Sequence, residues 1–114
     1  MHELSIAESL VAIALDALRE ETGRVDEVRL RLGRLAGVER ESLQFCYEIV
    51  TAGTPLAGSR LEIEDVPVVI YCPVCRDELE LPGIQSFLCP RCGGPSSQVR
   101  RGRELELTTI RLAD

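Results

Sequence analysis

The stretch Cys72-Pro73-Val74-Cys75, followed thirteen residues later by Cys89-Pro90-Arg91-Cys92, decides how this chain folds. Two Cys-x-x-Cys pairs at this separation are typical of a site in which two tight turns present four thiolates to one tetrahedral Zn(II), with Zn–S bonds of about 2.3 Å. The proline in each pair presets φ at about −65° and so favours the turn. The spacing therefore predicts a zinc site on Cys72, Cys75, Cys89 and Cys92.

A structural metal is favoured over disulfides, redox chemistry and a catalytic metal. Glu3 and Glu8 interrupt what would be the basic and apolar parts of a secretion signal, which predicts a cytoplasmic protein in a reducing compartment. Both cysteine pairs are followed by turn or strand residues, whereas a thioredoxin-like motif opens a helix. Four thiolates leave no open coordination position, so the zinc would hold structure and would not catalyse a reaction.

The residues between the two pairs predict a small hairpin. Pro82-Gly83 has the composition of a tight turn, which would fold residues 84–88 back on residues 77–81. Residues 67–99 carry too little apolar surface to fold unaided. We therefore expect the metal to hold this insert together.

The sequence on either side of the insert predicts two helices and three strands. Apolar residues at helical spacing predict helices over residues 5–21 and 39–52, the first with a capping box on Ser5 and Glu8. Alternation of apolar and charged residues predicts strands over 28–32, 61–64 and 104–107.

Charge predicts the order of these strands. The first strand exposes two arginines, whereas the other two expose pairs of glutamates, and opposite charges across a ladder are favourable. The first strand should therefore lie in the middle. A helix connects it to the second strand, as a parallel crossover requires, while the third strand returns after the insert and is free to run antiparallel.

The predicted fold class is α+β, a three-stranded mixed sheet with two helices on one face and an inserted zinc-ribbon-like module. Residues 1–66 and 100–114 would form the main domain, and residues 67–99 the inserted zinc-binding domain.

The formal charge of −6 and the pI near 4.8 disfavour general binding to nucleic acid. No apolar run is long enough to span a membrane. The fifth cysteine, Cys46, sits among apolar residues at helical spacing, which favours core packing.

The opening Met1-His2-Glu3 contains the single histidine of the chain. The α-amine of Met1, the backbone nitrogens of His2 and Glu3, and the imidazole would together supply nitrogen donors in a plane, which suits Ni(II) or Cu(II). The alternative is a solvated side chain at a frayed end. Nothing resembles a nucleophile–base pair, so an enzyme is not expected.

Taken together, several segments resemble the HypA/HybF family of nickel metallochaperones for [NiFe]-hydrogenase maturation. They are the opening residues 1–10, Phe45–Val50 with the following Thr-Ala-Gly-Thr, the two cysteine pairs, and Gly102-Arg103-Glu104-Leu105. The resemblance covers nearly the whole chain.

The resemblance implies a metal-delivery protein that turns over no substrate. Nickel would bind His2 and Glu3, with Glu39 at the start of the second helix as a further candidate, and structural zinc would bind the four cysteines. The implied partners are the GTPase HypB and a hydrogenase large-subunit precursor. Whether the chain also forms a homodimer is left open by the resemblance. The competing hypothesis is a zinc-ribbon adaptor that binds nucleic acid or a transcription complex through Arg91, Arg100, Arg101 and Arg103, but the chain lacks stacking aromatics there.

Overall fold

The computed structural model describes residues 2–19 and 23–113, in which two helices and six strands form. The helices are α1 (Glu3–Ala17) and α2 (Arg40–Thr51). The strands are β1 (Val25–Gly33), β2 (Arg60–Val66), β3 (Val69–Cys72), β4 (Asp77–Glu80), β5 (Val99–Arg101) and β6 (Leu105–Leu112). None of the helices in these described ranges is long and apolar enough to cross a membrane.

The start of α1 differs from the prediction. Its N-cap is His2, which makes no side-chain capping bond, and Ser5 lies inside the helix, so the predicted capping box is wrong. Its first turn is closed by Ile6 N, which donates to His2 O at 3.1 Å, and the Glu3 carboxylate in this turn accepts a hydrogen bond from Glu39 N at 2.9 Å. The helix ends at Ala17, and the predicted end at Glu21 lies outside the described residues.

The larger sheet has the strand order β2-β1-β6, which confirms that the first strand lies in the middle. At one end of β1, Ala113 N donates to Arg24 O, and at the other Gly33 N donates to Glu104 O, so β6 runs antiparallel to β1. Arg60, the first residue of β2, forms an ion pair with Glu27 near the start of β1. Val66, the last residue of β2, accepts a hydrogen bond from Arg34 N just beyond the end of β1, so β2 runs parallel to β1. The sheet is therefore mixed, as predicted.

Helix α2 protects the outer edge of β2. Gln44 Nε2 donates to Leu61 O at 2.8 Å and Arg40 Nη2 donates to Ile63 O at 3.1 Å. These side chains satisfy carbonyls that an edge strand otherwise leaves open to other chains. The inner face of α2 packs through Leu43, Tyr47 and Thr51, which recur every four residues and are buried.

A second sheet has the order β4-β3-β5, and its strand β3 ends at Cys72, the first residue of the first cysteine pair. Residues 77–80 pair antiparallel with β3, in the register Cys72↔Asp77 to Val69↔Glu80. The predicted pairing of residues 77–81 with 84–88 is therefore wrong, because the turn at the first cysteine pair closes the hairpin instead of Pro82-Gly83. A small core lies under this sheet, made of Val68, Ile70 and Leu81 with Leu35, Phe87 and Val99 packed against it.

The chain forms two compact units. The helical unit comprises residues 1–30, 38–64 and 106–114, and the cysteine unit comprises residues 31–37 and 65–105. The division into domains 1–66 with 100–114 and 67–99 stays a prediction. Within the cysteine unit, residues 31–35, 65–68 and 102–105 lie side by side, joined by backbone hydrogen bonds such as Leu35 N to Gly102 O at 2.6 Å.

Candidate metal centres

Four sulfur atoms converge in the cysteine unit. The Sγ atoms of Cys72, Cys75, Cys89 and Cys92 all lie within 4.8 Å of one another. The Cys72–Cys92 and Cys75–Cys89 separations are 3.6 and 3.9 Å. A tetrahedral ion with metal–sulfur bonds of 2.3 Å requires sulfur–sulfur edges of about 3.8 Å. The arrangement therefore fits a tetrahedral Zn(II) ion.

The two cysteine turns share one backbone conformation. Arg76 N donates to Cys72 O at 2.7 Å in the first turn, and Gly93 N donates to Cys89 O at 2.8 Å in the second. The residue after each pair is left-handed, with φ of +54° at Arg76 and +79° at Gly93. Glycine adopts this conformation without strain, whereas arginine does not. The same turn is thus built twice, once from an unfavourable residue.

Backbone N–H groups point at the sulfur atoms. Cys75 N lies 3.4 Å from Cys72 Sγ, and Arg91 N and Cys92 N each lie 3.4 Å from Cys89 Sγ. Gly94 N approaches Cys92 Sγ at the same distance. Such donors stabilise sulfur in its negatively charged form, which is the form that binds metal.

The pKa values of Cys75 and Cys89 are displaced in opposite directions. Burial raises the pKa of Cys75 to about 12, and its hydrogen bonds with the other three sulfurs add to the effect. Burial also raises the pKa of Cys89, but the backbone N–H groups of Cys92 and Arg91 outweigh it and bring that pKa to about 6. The Cys89 thiolate therefore forms readily, whereas burial makes the Cys75 thiol resist ionisation, and like charges within 4 Å would oppose a second ionisation. A divalent cation would remove this conflict.

The candidate nickel residues lie in the helical unit. His2 is exposed at the start of α1. Glu3 Oε2 accepts a hydrogen bond from Glu39 N at 2.9 Å, and this bond is the main reason that the pKa of Glu3 lies below its ordinary value. Met1 lies outside the described residues. The structure thus joins two of the candidate nickel residues, Glu3 and Glu39, by a hydrogen bond.

The carboxylate of Glu39 already has a structural role. It caps α2 by accepting hydrogen bonds from Glu41 N at 3.3 Å and Ser42 N at 3.2 Å. A metal bound to this carboxylate would compete with the cap.

A family model described as "Hydrogenase/urease nickel incorporation, metallochaperone, hypA" matches residues 1–112. The chain belongs to the HypA family. It is 50% identical over 111 residues to the hydrogenase maturation factor HypA of Chloroflexus aurantiacus, which spans 96% of this chain and 97% of that protein. It is 40% identical to the protein of the same description from Desulfosudis oleivorans, over the full length of both.

Solved structures of the HypA family have the same fold. The solution structure of the Ni metallochaperone HypA from Helicobacter pylori aligns with a TM-score of 0.65 and 18% identity, covering 98% of this chain and 97% of that one. A second HypA solution structure aligns with a TM-score of 0.68 at 18% identity, covering 99% and 97%. At this identity the likeness shows the fold alone. The family description is that of a nickel metallochaperone and not of a catalyst.

Two features of these centres were not predicted from the sequence. The hydrogen bond between Glu3 and Glu39 joins residues 36 positions apart, and no local pattern signals it. The second feature is the left-handed conformation of Arg76. Its signal is the alignment of the two pairs, which sets Arg76 against Gly93.

Proposed function

We propose that this chain is a metallochaperone that binds Ni(II) at its amino terminus and delivers it for [NiFe]-hydrogenase maturation. His2 and Glu3 are the principal ligands, with the Met1 amine and Glu39 as further donors. The recipient is the hydrogenase large-subunit precursor, and the GTPase HypB takes part in the transfer, which takes place in the cytoplasm. The observation that carries the proposal is the match to the HypA family over residues 1–112, which includes the amino terminus and both cysteine pairs.

The contact between Glu3 and Glu39 supports a site at the start of the two helices. It holds one carboxylate beside the first turn of α2, next to a second carboxylate. Oxygen donors at this place would complement the nitrogen donors of the terminal residues. Both carboxylates accept backbone hydrogen bonds, so binding nickel through them would exchange one interaction for another. Such an exchange favours the reversible binding that a delivery protein needs.

In this proposal zinc is a structural ion and nickel is the ion that is delivered. Cys72, Cys75, Cys89 and Cys92 would hold one Zn(II) per chain, and this ion would stabilise the cysteine unit without leaving it. The fit of the sulfur–sulfur separations to a tetrahedral ion supports this assignment. Cys46, in α2, takes no part in it.

The proposal is tested by calorimetric titration of nickel into untagged, zinc-loaded protein. His2→Ala and a short extension before Met1 should each abolish tight nickel binding, because one removes the imidazole and the other moves the α-amine. The matched control carries the same extension after Asp114 and should bind nickel normally. Zinc content and circular dichroism should be equal in all four proteins. Unchanged nickel affinity in both altered proteins would refute the terminal site.

The role of Glu3 is resolved by two substitutions. In Glu3→Gln the amide oxygen still accepts the hydrogen bond from Glu39 N, whereas Glu3→Ala loses it. If the carboxylate is a ligand, both should weaken nickel binding strongly. If only the backbone nitrogen of Glu3 binds, Glu3→Gln should bind as the unchanged protein does. Affinity should rise with pH, because the imidazole and the α-amine must lose their protons before they can bind the metal.

A further inference from the structure

Charge is divided unevenly between the two units. The helical unit contains fourteen acidic and six basic residues, whereas the cysteine unit contains five acidic and seven basic residues. All of the basic residues are arginines. The cysteine unit is therefore the part of the chain on which an anionic partner would meet the least repulsion.

The exposed arginines of the cysteine unit differ in how far they are engaged. Arg91 Nη2 lies 3.3 Å from Asp77 Oδ2. Arg100 stacks over the ring of Tyr71 at 5.0 Å and lies near Glu78. Arg101 and Arg103 are exposed, and within residues 2–19 and 23–113 neither guanidinium group makes a hydrogen bond or an ion pair, although the charge of Arg101 helps to lower the pKa of Glu104. Two guanidinium groups are thus available for a ligand.

The turn that holds these two arginines is fixed by its glycine. Gly102 has φ of +121°, and its N–H donates to Glu104 Oε1 at 2.8 Å. Its carbonyl accepts from Leu35 N at 2.6 Å, and an added Cβ would lie 3.1 Å from Val68 Cα. The backbone between the arginines is therefore ordered before any ligand binds, which lowers the entropy cost of binding.

A cleft of about 260 Å³ lies at this turn. It is lined by Val99, Arg100, Arg101, Arg103 and Glu104. Three of these residues form β5, which is an edge strand of the second sheet. The cleft is therefore open along one side, where an extended segment could lie beside β5. Val99 supplies an apolar surface for methylene groups, and the arginines supply paired donors of the geometry that carboxylates accept.

We infer that this cleft binds glutamate side chains of an acidic, extended segment of a partner protein. Arg101 and Arg103 each pair with a carboxylate, and the aliphatic stem of a glutamate packs on Val99. Nucleic acid fits less well, because the ring face of Tyr71 is already covered by Arg100 and no base would stack there. The formal net charge of −6 would also repel a long phosphate backbone.

The test measures binding of a fluorescein-labelled peptide of alternating glutamate and threonine to the full, zinc-loaded chain without nickel. The result is therefore independent of the proposed nickel site. The double substitution R101Q/R103Q should weaken binding at least tenfold. The matched control R76Q/R91Q removes the same charge from the same unit, beside the cysteines, and should change the affinity less than threefold. Zinc content and unfolding midpoints should be compared for every variant.

Further variants separate geometry from charge. R101K/R103K keeps the charge but loses the paired donors, so it should bind at an intermediate strength. Glu104→Gln keeps an acceptor for Gly102 N–H and removes a repulsive charge from the cleft, so it should bind the peptide more tightly. If R101Q/R103Q and R76Q/R91Q weakened peptide binding equally, general charge attraction would explain the binding, and the inference would be overturned. Stronger competition by single-stranded DNA or inorganic phosphate than by the unlabelled peptide would also overturn it.

Discussion

Gly33 lies so close to Gly102 that its position has no space for a side chain. A Cβ atom at Gly33 would overlap the carbonyl carbon and oxygen of Gly102. The two glycines belong to neighbouring segments of the cysteine unit, joined by Gly33 N to Glu104 O and Leu35 N to Gly102 O. A side chain at residue 33 would therefore push apart backbone segments, which relax far less readily than the end of a flexible side chain.

We expect Gly33→Ala to reduce the free energy of unfolding by about 1–3 kcal/mol, since overpacking must be relieved by backbone movement. The measurement is urea denaturation of the zinc-loaded protein, followed by circular dichroism. Gly83→Ala is the matched control, because nothing lies within 4 Å of its added Cβ. It should be neutral or stabilise the protein by up to about 1 kcal/mol. Equal effects at the two positions would contradict the packing argument.

At the scale of the elements, one buried carboxylate joins all three strands of the larger sheet. Glu27, on β1, is 4% exposed. Its Oε1 lies 2.8 Å from Arg60 Nη2 on β2 and 3.9 Å from Arg111 Nη2 on β6, and its Oε2 lies 2.9 Å from Arg29 Nε. The hydrogen bond from Arg29 and the charges of Arg111 and Arg60 hold the pKa of Glu27 below its ordinary value, against the opposing effect of burial.

This lowered pKa gives a pH-dependent prediction. The stabilisation by ionised Glu27 is fully present above its unfolded pKa of about 4.3 and is lost as pH falls through the lower folded pKa. Glu27→Gln should therefore unfold more easily than the unchanged protein at pH 7, and the difference should shrink as pH falls below that range. Urea midpoints measured from pH 7 downward check this. Glu62→Gln, at a half-exposed carboxylate 4.0 Å from Arg60 Nε, should show a smaller difference throughout. A difference for Glu27→Gln that does not change with pH would contradict the role of its charge.

The elements that sequence predicted well are those with a local signal. The second helix, predicted over residues 39–52, forms over Arg40–Thr51 with Glu39 as its cap. The central position of β1 was predicted from the signs of exposed charges, and the strand order confirms it. The charges of Glu62 and Glu64 act on Arg29 as that argument requires, whereas the pairs of Arg60 and Arg111 with Glu27 have the opposite sense and were not predicted. The predicted pairing of residues 77–81 with 84–88 was wrong because two turns flank residues 77–81, one at the first cysteine pair and one at Pro82-Gly83. The sequence does not reveal which of the two turns forms the hairpin. The burial of Glu27 depends on arginines from two other strands, so no local pattern predicts it.

At the scale of the whole molecule, the cysteine unit should depend on metal. Its core is small, with three fully buried apolar residues in one cluster, while structural zinc contributes on the order of 10–16 kcal/mol of apparent binding free energy. Chelation of zinc, or Cys75→Ser, should therefore unfold residues 67–99 before the helices and the larger sheet. Hydrogen exchange resolved by peptide measures the order of protection loss.

The matched control for this experiment is Cys46→Ala. Cys46 lies in α2 and outside the group of four converging sulfurs, so its loss should leave one zinc per chain. If residues 67–99 stayed as protected without zinc as with it, the metal would not be what stabilises them. A loss of zinc in Cys46→Ala would mean that the fifth cysteine had been assigned wrongly.

The shared conformation of Arg76 and Gly93 has a consequence for how such sites are recognised. A search pattern that demands glycine after each Cys-Pro-x-Cys would pass over the first turn, although its backbone has the same hand and the same closing hydrogen bond as the second. The turn requires a residue in the left-handed conformation, and glycine is the amino acid that adopts this conformation with the least strain. Dihedral angles and hydrogen bonds to sulfur are therefore safer descriptors of a zinc-binding turn than the amino acid that follows it.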